Sequence, residues 1–220
     1  VTPYYQDEAV TIYHGDCRDV LPLVGPTELV VADPPYGISY ESNWSTGRGS
    51  QPITNDGTRI SLALYRAVIP MLKCEHVLWF TRWDAWPDVW GILASRVPLR
   101  GLLVWDKEDH GMGDLRHWAP SYELIASAGR GETLPPRESS IIRYRRLPAQ
   151  GRLHPVEKPV GLYRKLVSKF LYRSILDPFM GAGGSVVAAK AEGRRAIGIE
   201  IEERYCEIAA KRLAQEVLAL

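Results

Sequence analysis

Apolar and polar positions along this chain recur at two periods, two residues in some stretches and about 3.6 in others, and the changes between them mark out its elements. Val10-Thr11-Ile12-Tyr13 alternates and breaks at His14-Gly15-Asp16, which predicts a strand ending in a turn. Leu29-Val30-Val31-Ala32 is a continuous apolar run between Pro26-Thr27 and a proline pair, the pattern of a short buried strand. Leu62, Tyr65, Ile69 and Leu72 fall at helical spacing within 61–72, and Val77-Leu78-Trp79-Phe80 follows as another buried strand. A helix between two strands implies a parallel crossover. Helices are expected at 83–94, with Pro87 in the first turn, and at 160–171, with Leu162, Leu166 and Phe170 along one side. Leu102 to Lys107 and Tyr122 to Ala126 read as strands, as do Ile175 to Asp177 and Ala196 to Glu200; helices at 186–192 and 202–218 follow the last two.

This alternation predicts an α/β fold. With 220 residues, 45% of them apolar, the chain can bury one sizeable core, so a single domain over 1–220 is expected. Between 41 and 57, Ser, Asn, Thr, Gly and Arg dominate without periodicity, which predicts a mobile loop placed to act as a lid.

A formal net charge of +1 excludes both a strongly basic protein that coats nucleic acid and an acidic disordered chain. Any contact with a polyanion must be local. From Arg130 to Arg173 eleven basic residues stand against three acids, so this stretch is either a solvated face or a phosphate-contacting patch. Three widely spaced cysteines form no Cys-x-x-Cys pair, which leaves no zinc or redox motif and fits a reducing cytosol; no metal is expected. The first residues lack a signal-peptide pattern, and no stretch approaches the ~20 apolar residues of a membrane span, so no membrane contact is expected.

The chemistry concentrates at two motifs. Asp33-Pro34-Pro35-Tyr36 sits where the apolar run 29–32 stops. Two successive prolines fix φ at about −65°, remove two N–H donors and hold Asp33 and Pro34 extended. The result is a stiff acceptor shelf, the Asp33 carboxylate and the Pro34 carbonyl, with the Tyr36 ring close behind. The second motif, Asp177-Pro178-Phe179-Met180-Gly181-Ala182-Gly183-Gly184, is a glycine-rich turn between a strand and a helix, where a backbone can approach a ligand closely. Its spacing is not Gly-x-Gly-x-x-Gly and no Lys follows the glycines, which argues against a dinucleotide pyrophosphate and against a P-loop. Glu200 ends the next strand about 20 residues on, where a ribose diol is commonly gripped. An acid for ribose and a turn without pyrophosphate chemistry suit an adenosine ligand that carries no phosphates, and S-adenosylmethionine fits.

On these motifs the sequence resembles the DNA amino-methyltransferases, which carry Asp-Pro-Pro-Tyr as catalytic motif and Asp-Pro-Phe-x-Gly-x-Gly as cofactor motif. The catalytic motif comes first here, similar to the permuted, beta order of that family. Tyr13-His14-Gly15-Asp16, Val104-Trp105-Asp106-Lys107 and His154-Pro155-Val156-Glu157-Lys158-Pro159 extend the resemblance over nearly the whole chain. It implies a Rossmann-like, seven-stranded, mostly parallel sheet with one antiparallel strand. It implies that Asp177, Pro178, Phe179, Gly181, Ala182 and Gly183 hold the methionine end of S-adenosylmethionine. Lys158 would pair with the methionine carboxylate, Glu200 would bind the ribose hydroxyls and Asp16 the adenine amino group, with Cys17 and Ile201 also binding the cofactor. Asp33, Pro34, Pro35 and Tyr36 would be catalytic, with Asp33 also beside the cofactor.

The implied substrate is a base flipped out of double-stranded DNA. Tyr36 and Trp105 are candidate walls for that base, and Arg143, Arg145 and Arg146, in the small recognition segment 130–153, are candidate DNA contacts. This surface is small for one chain, so the site is short or a second subunit, as in a homodimer, assists. Asp at the head of the catalytic motif resembles the adenine-N6 enzymes more than the cytosine-N4 enzymes. The cytosine-N4 reaction, an RNA adenine substrate and an inactive nucleic-acid-binding subunit are the alternatives. The setting implied is the cytoplasm of a bacterium or archaeon, or a phage gene.

Overall fold

The computed structural model describes residues 2–36, 58–109, 118–119, 121–148 and 150–216; the loop expected at 41–57 lies outside them. The described residues form β1 (Tyr5–Gln6), β2 (Val10–His14), β3 (Thr27–Ala32), β4 (Cys74–Thr81), β5 (Leu99–Asp106), β6 (Tyr122–Gly129), β7 (Ile141–Arg143), β8 (Ser174–Asp177) and β9 (Arg195–Glu200). The helices are α1 (Cys17–Val20), α2 (Thr58–Val68), α3 (Trp86–Ala94), α4 (Val160–Val167), α5 (Gly184–Ala191) and α6 (Glu203–Glu216).

All nine strands join one sheet in the order β1-β2-β9-β8-β3-β4-β6-β5-β7. The five strands from β2 to β4 in that order are parallel, and β6 runs antiparallel to both of its neighbours. The expected seven-stranded sheet is therefore present, and two short strands lengthen it: β7, parallel to β5, and β1, antiparallel to β2. Strands of two and three residues are too short to show a period in the sequence.

Side-chain alternation explains the layering. Leu29 and Val31 of β3 and Leu78 and Phe80 of β4 pack on one face with residues of α4, α5 and α6. Val30, Ala32, Val77 and Trp79 pack on the other with residues of α1, α2 and α3. Helix α3 begins at Trp86 with Pro87 in its first turn, where a missing N–H costs nothing. Helix α4 stops at Val167 rather than 171 because its last turns tighten, with Lys169 N–H bonding Leu166 and Phe170 N–H bonding Val167. Phe170 stays buried all the same.

The strand order reverses at β8 and β3. From β8 the chain moves through α5 to β9 on one side, and from β3 through α2 to β4 on the other, which opens a crevice at the carboxyl ends of these strands. The far ends of β3 and β8 are cross-braced: the Glu28 carboxylate accepts the N–H groups of Arg173 (2.7 Å) and Ser174 (2.8 Å), and Glu28 N–H donates to the Ser174 hydroxyl (3.0 Å). That brace fixes the register which sets Asp33 and Asp177 on one rim.

Candidate active site at the carboxyl ends of the strands

Asp33 follows directly on β3, and the shelf behind it is anchored by Tyr65 of α2, whose hydroxyl donates to the Pro35 carbonyl at 2.6 Å. The Tyr36 hydroxyl lies 2.8 Å from Asp33 Oδ1 and also 2.8 Å from Oε2 of Glu123, near the start of β6. The Lys158 ammonium donates to Asp33 Oδ2, and it lies 3.2 Å from Glu123 Oε2 and 3.3 Å from the Tyr36 oxygen. It sits over the Phe80 ring at 4.8 Å and the Tyr36 ring at 5.3 Å. Lys107, just beyond β5, pairs with Glu123 Oε1 at 2.8 Å.

Two carboxylates and two ammonium groups thus neutralise one another in a site where the Lys158 side chain is 3% exposed, Asp33 13% and Glu123 14%. Burial raises the Asp33 pKa although Lys158 opposes it. Burial also pulls Glu123 upward, but the two lysines overcome it and hold that carboxyl at about 2.

The second motif turns tightly after β8. Asp177 is buried and braces the turn from inside, accepting the N–H of Phe179 at 2.9 Å and the hydroxyl of Ser185. Burial pushes its pKa up to about 7 against both of those bonds. Gly183 has φ +82°, a left-handed conformation that glycine adopts without strain, and a Cβ there would stand 2.6 Å from that of Ala209 on α6. The Gly181 N–H donates to Glu200 Oε2 (2.9 Å) and the Glu202 N–H to Glu200 Oε1 (2.8 Å), which aims the acid that ends β9 across the turn. His154 packs edge-on against Tyr205 and accepts the Val156 N–H at 3.3 Å; burial lowers its pKa to about 4 and keeps the ring neutral. Asp16 caps α1, accepting the N–H of Arg18 (2.9 Å) and pairing with its guanidinium. Burial pushes the Cys17 thiol up to about 12, so it is no nucleophile.

A cavity of about 800 Å³ joins these parts. The structure brings together Asp16, Cys17, Asp33, Pro34, Pro35, Tyr36, Lys158, Pro178, Phe179, Gly181, Ala182, Glu200 and Ile201 on its wall. It does not bring Asp177 or Gly183 to that wall; they shape the turn from behind. Lys158 engages the catalytic shelf. Trp105 is not a wall for a base: it is 2% exposed in the core, and its indole N–H donates to the Tyr144 carbonyl at 2.7 Å. The exposed aromatic residues on the cavity wall are instead Trp83, 67% exposed, with Trp118 and Tyr122.

Arg143, Arg145 and Arg146 lie on and just after β7 and do not line the cavity. Arg146 pairs with Asp109 at 3.0 Å, while Arg143 is 74% exposed and 3.6 Å from Asp106. Much of the basic excess is engaged in contacts within the chain, several of them at its surface. Arg164 pairs with Glu192, Lys165 and Lys169 with Glu138, and Arg152 donates to the carbonyls of Leu147, Pro148 and Pro155. Sequence reading missed Glu123, Lys107 and His154. Glu123 did leave a signal, as the one acid at the head of an otherwise apolar strand. Among the described residues no helix is long and apolar enough to cross a membrane, and no group of three or more His, Cys, Asp or Glu could hold a metal ion.

A family model described as DNA methylase matches residues 27–211. The type II methyltransferase M2.DpnII of Streptococcus pneumoniae is 45% identical over 255 residues, covering 97% of this chain and 93% of its own length. The DNA adenine methyltransferase YhdJ of Escherichia coli (strain K12) is 24% identical over 250 residues, covering 95% of this chain and 84% of its own. The crystal structure of the M1.HpyAVI–SAM complex superimposes with a TM-score of 0.72 at 20% identity, covering 93% of this chain and 98% of that one, and so shares the fold.

Proposed function

Because the chain belongs to the DNA methylase family, we propose that it transfers a methyl group from S-adenosylmethionine to the N6 amine of an adenine flipped out of double-stranded DNA. One observation carries the reading: the Asp33-Pro34 shelf faces the same cavity as Glu200 and the Gly181-Ala182 turn. An amine acceptor and an adenosine-binding rim share one space.

The residues present fit that cofactor. Glu200 is suited to the ribose hydroxyls, Asp16 to an adenine amino group, and the Gly181-Ala182 backbone to the methionine end, with no lysine directly after the glycines to demand a phosphate. When bound, S-adenosylmethionine supplies an electrophilic sulfonium methyl. The chain's own task is to make the amine nucleophilic. That nitrogen's lone pair is delocalised into the base ring until its hydrogens are held out of the plane. Asp33 Oδ1 and the Pro34 carbonyl would accept them, the bond to the charged carboxylate being worth about 1.5–3 kcal/mol. Lys158 meanwhile holds Asp33 Oδ2. Extracting the base costs a few kcal/mol, and stacking on Tyr36 returns about 1–3 kcal/mol.

An aspartate at the head of the motif and the adenine-acting relative YhdJ support N6 over cytosine N4. The duplex is held in part by Arg143 and Arg145, and the small recognition surface fits a short target or a homodimer. The test is to treat unmethylated DNA with the pure protein and S-adenosylmethionine, then apply methylation-sensitive sequencing and nucleoside mass spectrometry. N6-methyladenine in one short sequence context is expected. N4-methylcytosine would replace the adenine reading, and no mark on either base would overturn the activity.

A further inference from the structure

The Tyr36 hydroxyl has one hydrogen and two carboxylate oxygens at the same distance, Asp33 Oδ1 and Glu123 Oε2, each 2.8 Å away. Only one of them can receive that hydrogen at a time. Asp33 Oδ2 is already held by Lys158, so Oδ1 is the oxygen left for a substrate amine. While the hydroxyl points at Oδ1 it takes one of that oxygen's two lone-pair directions and draws on its negative charge, so a substrate amine meets a weaker acceptor.

We propose that Glu123 is a positioning residue for methyl transfer: it takes the Tyr36 hydroxyl hydrogen and so frees Asp33 Oδ1 to accept the amine. The inference rests on the function proposed above and extends it to a residue that does not touch the substrate. Glu123 is equipped for the part. Lys107 at 2.8 Å on Oε1 and Lys158 at 3.2 Å on Oε2 hold it in place and keep it ionised, hence always an acceptor. Its position on β6, opposite Trp105 of β5, gives it a rigid base. The exchange moves one hydrogen by rotation of the Tyr36 C–O bond, with no change in total charge. Without Glu123 the hydroxyl has only Asp33 Oδ1 as a carboxylate acceptor at that distance, and the shelf would be weakened by its own tyrosine.

The competing hydroxyl supplies the test. Single-turnover methyl transfer to duplex DNA, at saturating S-adenosylmethionine, is measured for the wild type, Glu123→Ala, Tyr36→Phe and the double variant. Tyr36→Phe keeps the ring and removes the hydrogen. Loss of Glu123 is expected to slow transfer about 10- to 100-fold with Tyr36 present, but by only about threefold or less in the Tyr36→Phe background. The cofactor dissociation constant should stay within about twofold throughout. A Glu123 deficit of equal size in both backgrounds overturns the proposal, since a merely structural role would not depend on the hydroxyl. If thermal melting shows that Glu123→Ala does not fold, Glu123→Gln carries the same comparison. Its neutral amide is a weaker acceptor than Asp33, so a smaller deficit is expected, again confined to the Tyr36 background, and an equal deficit overturns it. If the wild type places no methyl group on a DNA amine, the function reading itself has failed and takes this inference with it.

Discussion

Replacing Lys158 by methionine tests whether this lysine holds Asp33 in its working state. Glu123 would lose Lys158 but keep Lys107 at 2.8 Å, so of the two carboxylates Asp33 is the one left without its cation, in a site where its side chain is 13% exposed. Stranding one member of a buried ion pair costs about 3–5 kcal/mol. Asp33 has an escape in taking up a proton. For a carboxyl of ordinary pKa 3.8 that costs about 1.4 kcal/mol per pH unit above this value, about 4 kcal/mol at pH 7 and about 2 at pH 5. The cheaper route sets the loss, so K158M should be destabilised by about 3–4 kcal/mol at pH 7 and about 2 at pH 5. Both figures are upper bounds, because burial already raises Asp33 with Lys158 in place.

The sign follows from linkage. In the variant the folded pKa of Asp33 lies further above its unfolded value, so the cost is absent below the unfolded pKa and grows as pH rises toward the folded one. Acidification should therefore narrow the gap to wild type. Urea unfolding of both proteins at pH 7 and pH 5 measures it, and residual methyl transfer by the variant should rise with pH as Asp33 ionises. A stability loss of the same size at both pH values would overturn this prediction, for the lysine would then matter through its packing on Phe80 and Tyr36 and not through its charge.

Glu200→Ala and Asp33→Ala should fail differently. The first should raise the cofactor dissociation constant by about tenfold or more in calorimetry, the worth of a charge-assisted hydrogen bond. The second should bind cofactor and lose single-turnover transfer; transfer at the original rate would leave Asp33 as an ordinary turn residue. Replacing Arg143, Arg145 and Arg146 together by alanine should weaken DNA binding and flatten its salt dependence by about 0.9 in slope for each DNA phosphate that is no longer neutralised. Less is expected from Arg146, which is occupied by Asp109. Unchanged affinity and slope would make the cluster a solvated face.

Strands β3, β8 and β9 were legible because each is an apolar run that stops at a carboxylate, and because the three run parallel all three acids lie at one end of the sheet. Trp105 was misread for a reason that periodicity cannot remove. It lies in Leu102-Leu103-Val104-Trp105, where apolar residues occupy both faces, and only pairing with β6 shows which side the helices cover. Glu123 stood out as an acid in an apolar strand, yet its partners lie far off in sequence at positions 36, 107 and 158, and no local pattern predicts their convergence. The basic excess of 130–173 was visible as composition, but which of its members pair within the chain is a tertiary property. Lys158 belongs to that count and is among the most deeply buried charges in the structure.

The brace between Glu28 and Ser174 spans 146 residues of chain and joins strands that are neighbours in the sheet. This separation has a consequence for synthesis. A nascent chain that has emerged only as far as β6 already holds β3, β4 and the shelf, with the helices that cover Val30, but one edge of β3 has no partner, and its Val31 awaits α4, α5 and α6 on the other face. Such an edge invites pairing with other chains. Closing it means joining segments far apart in sequence, a slow step in folding. The rim residues Asp16 and Glu200 come together in the same step, when β9 docks on β2. Ability to bind the cofactor should therefore arise late and all at once, making it a sensitive readout of whether a newly made molecule has finished folding.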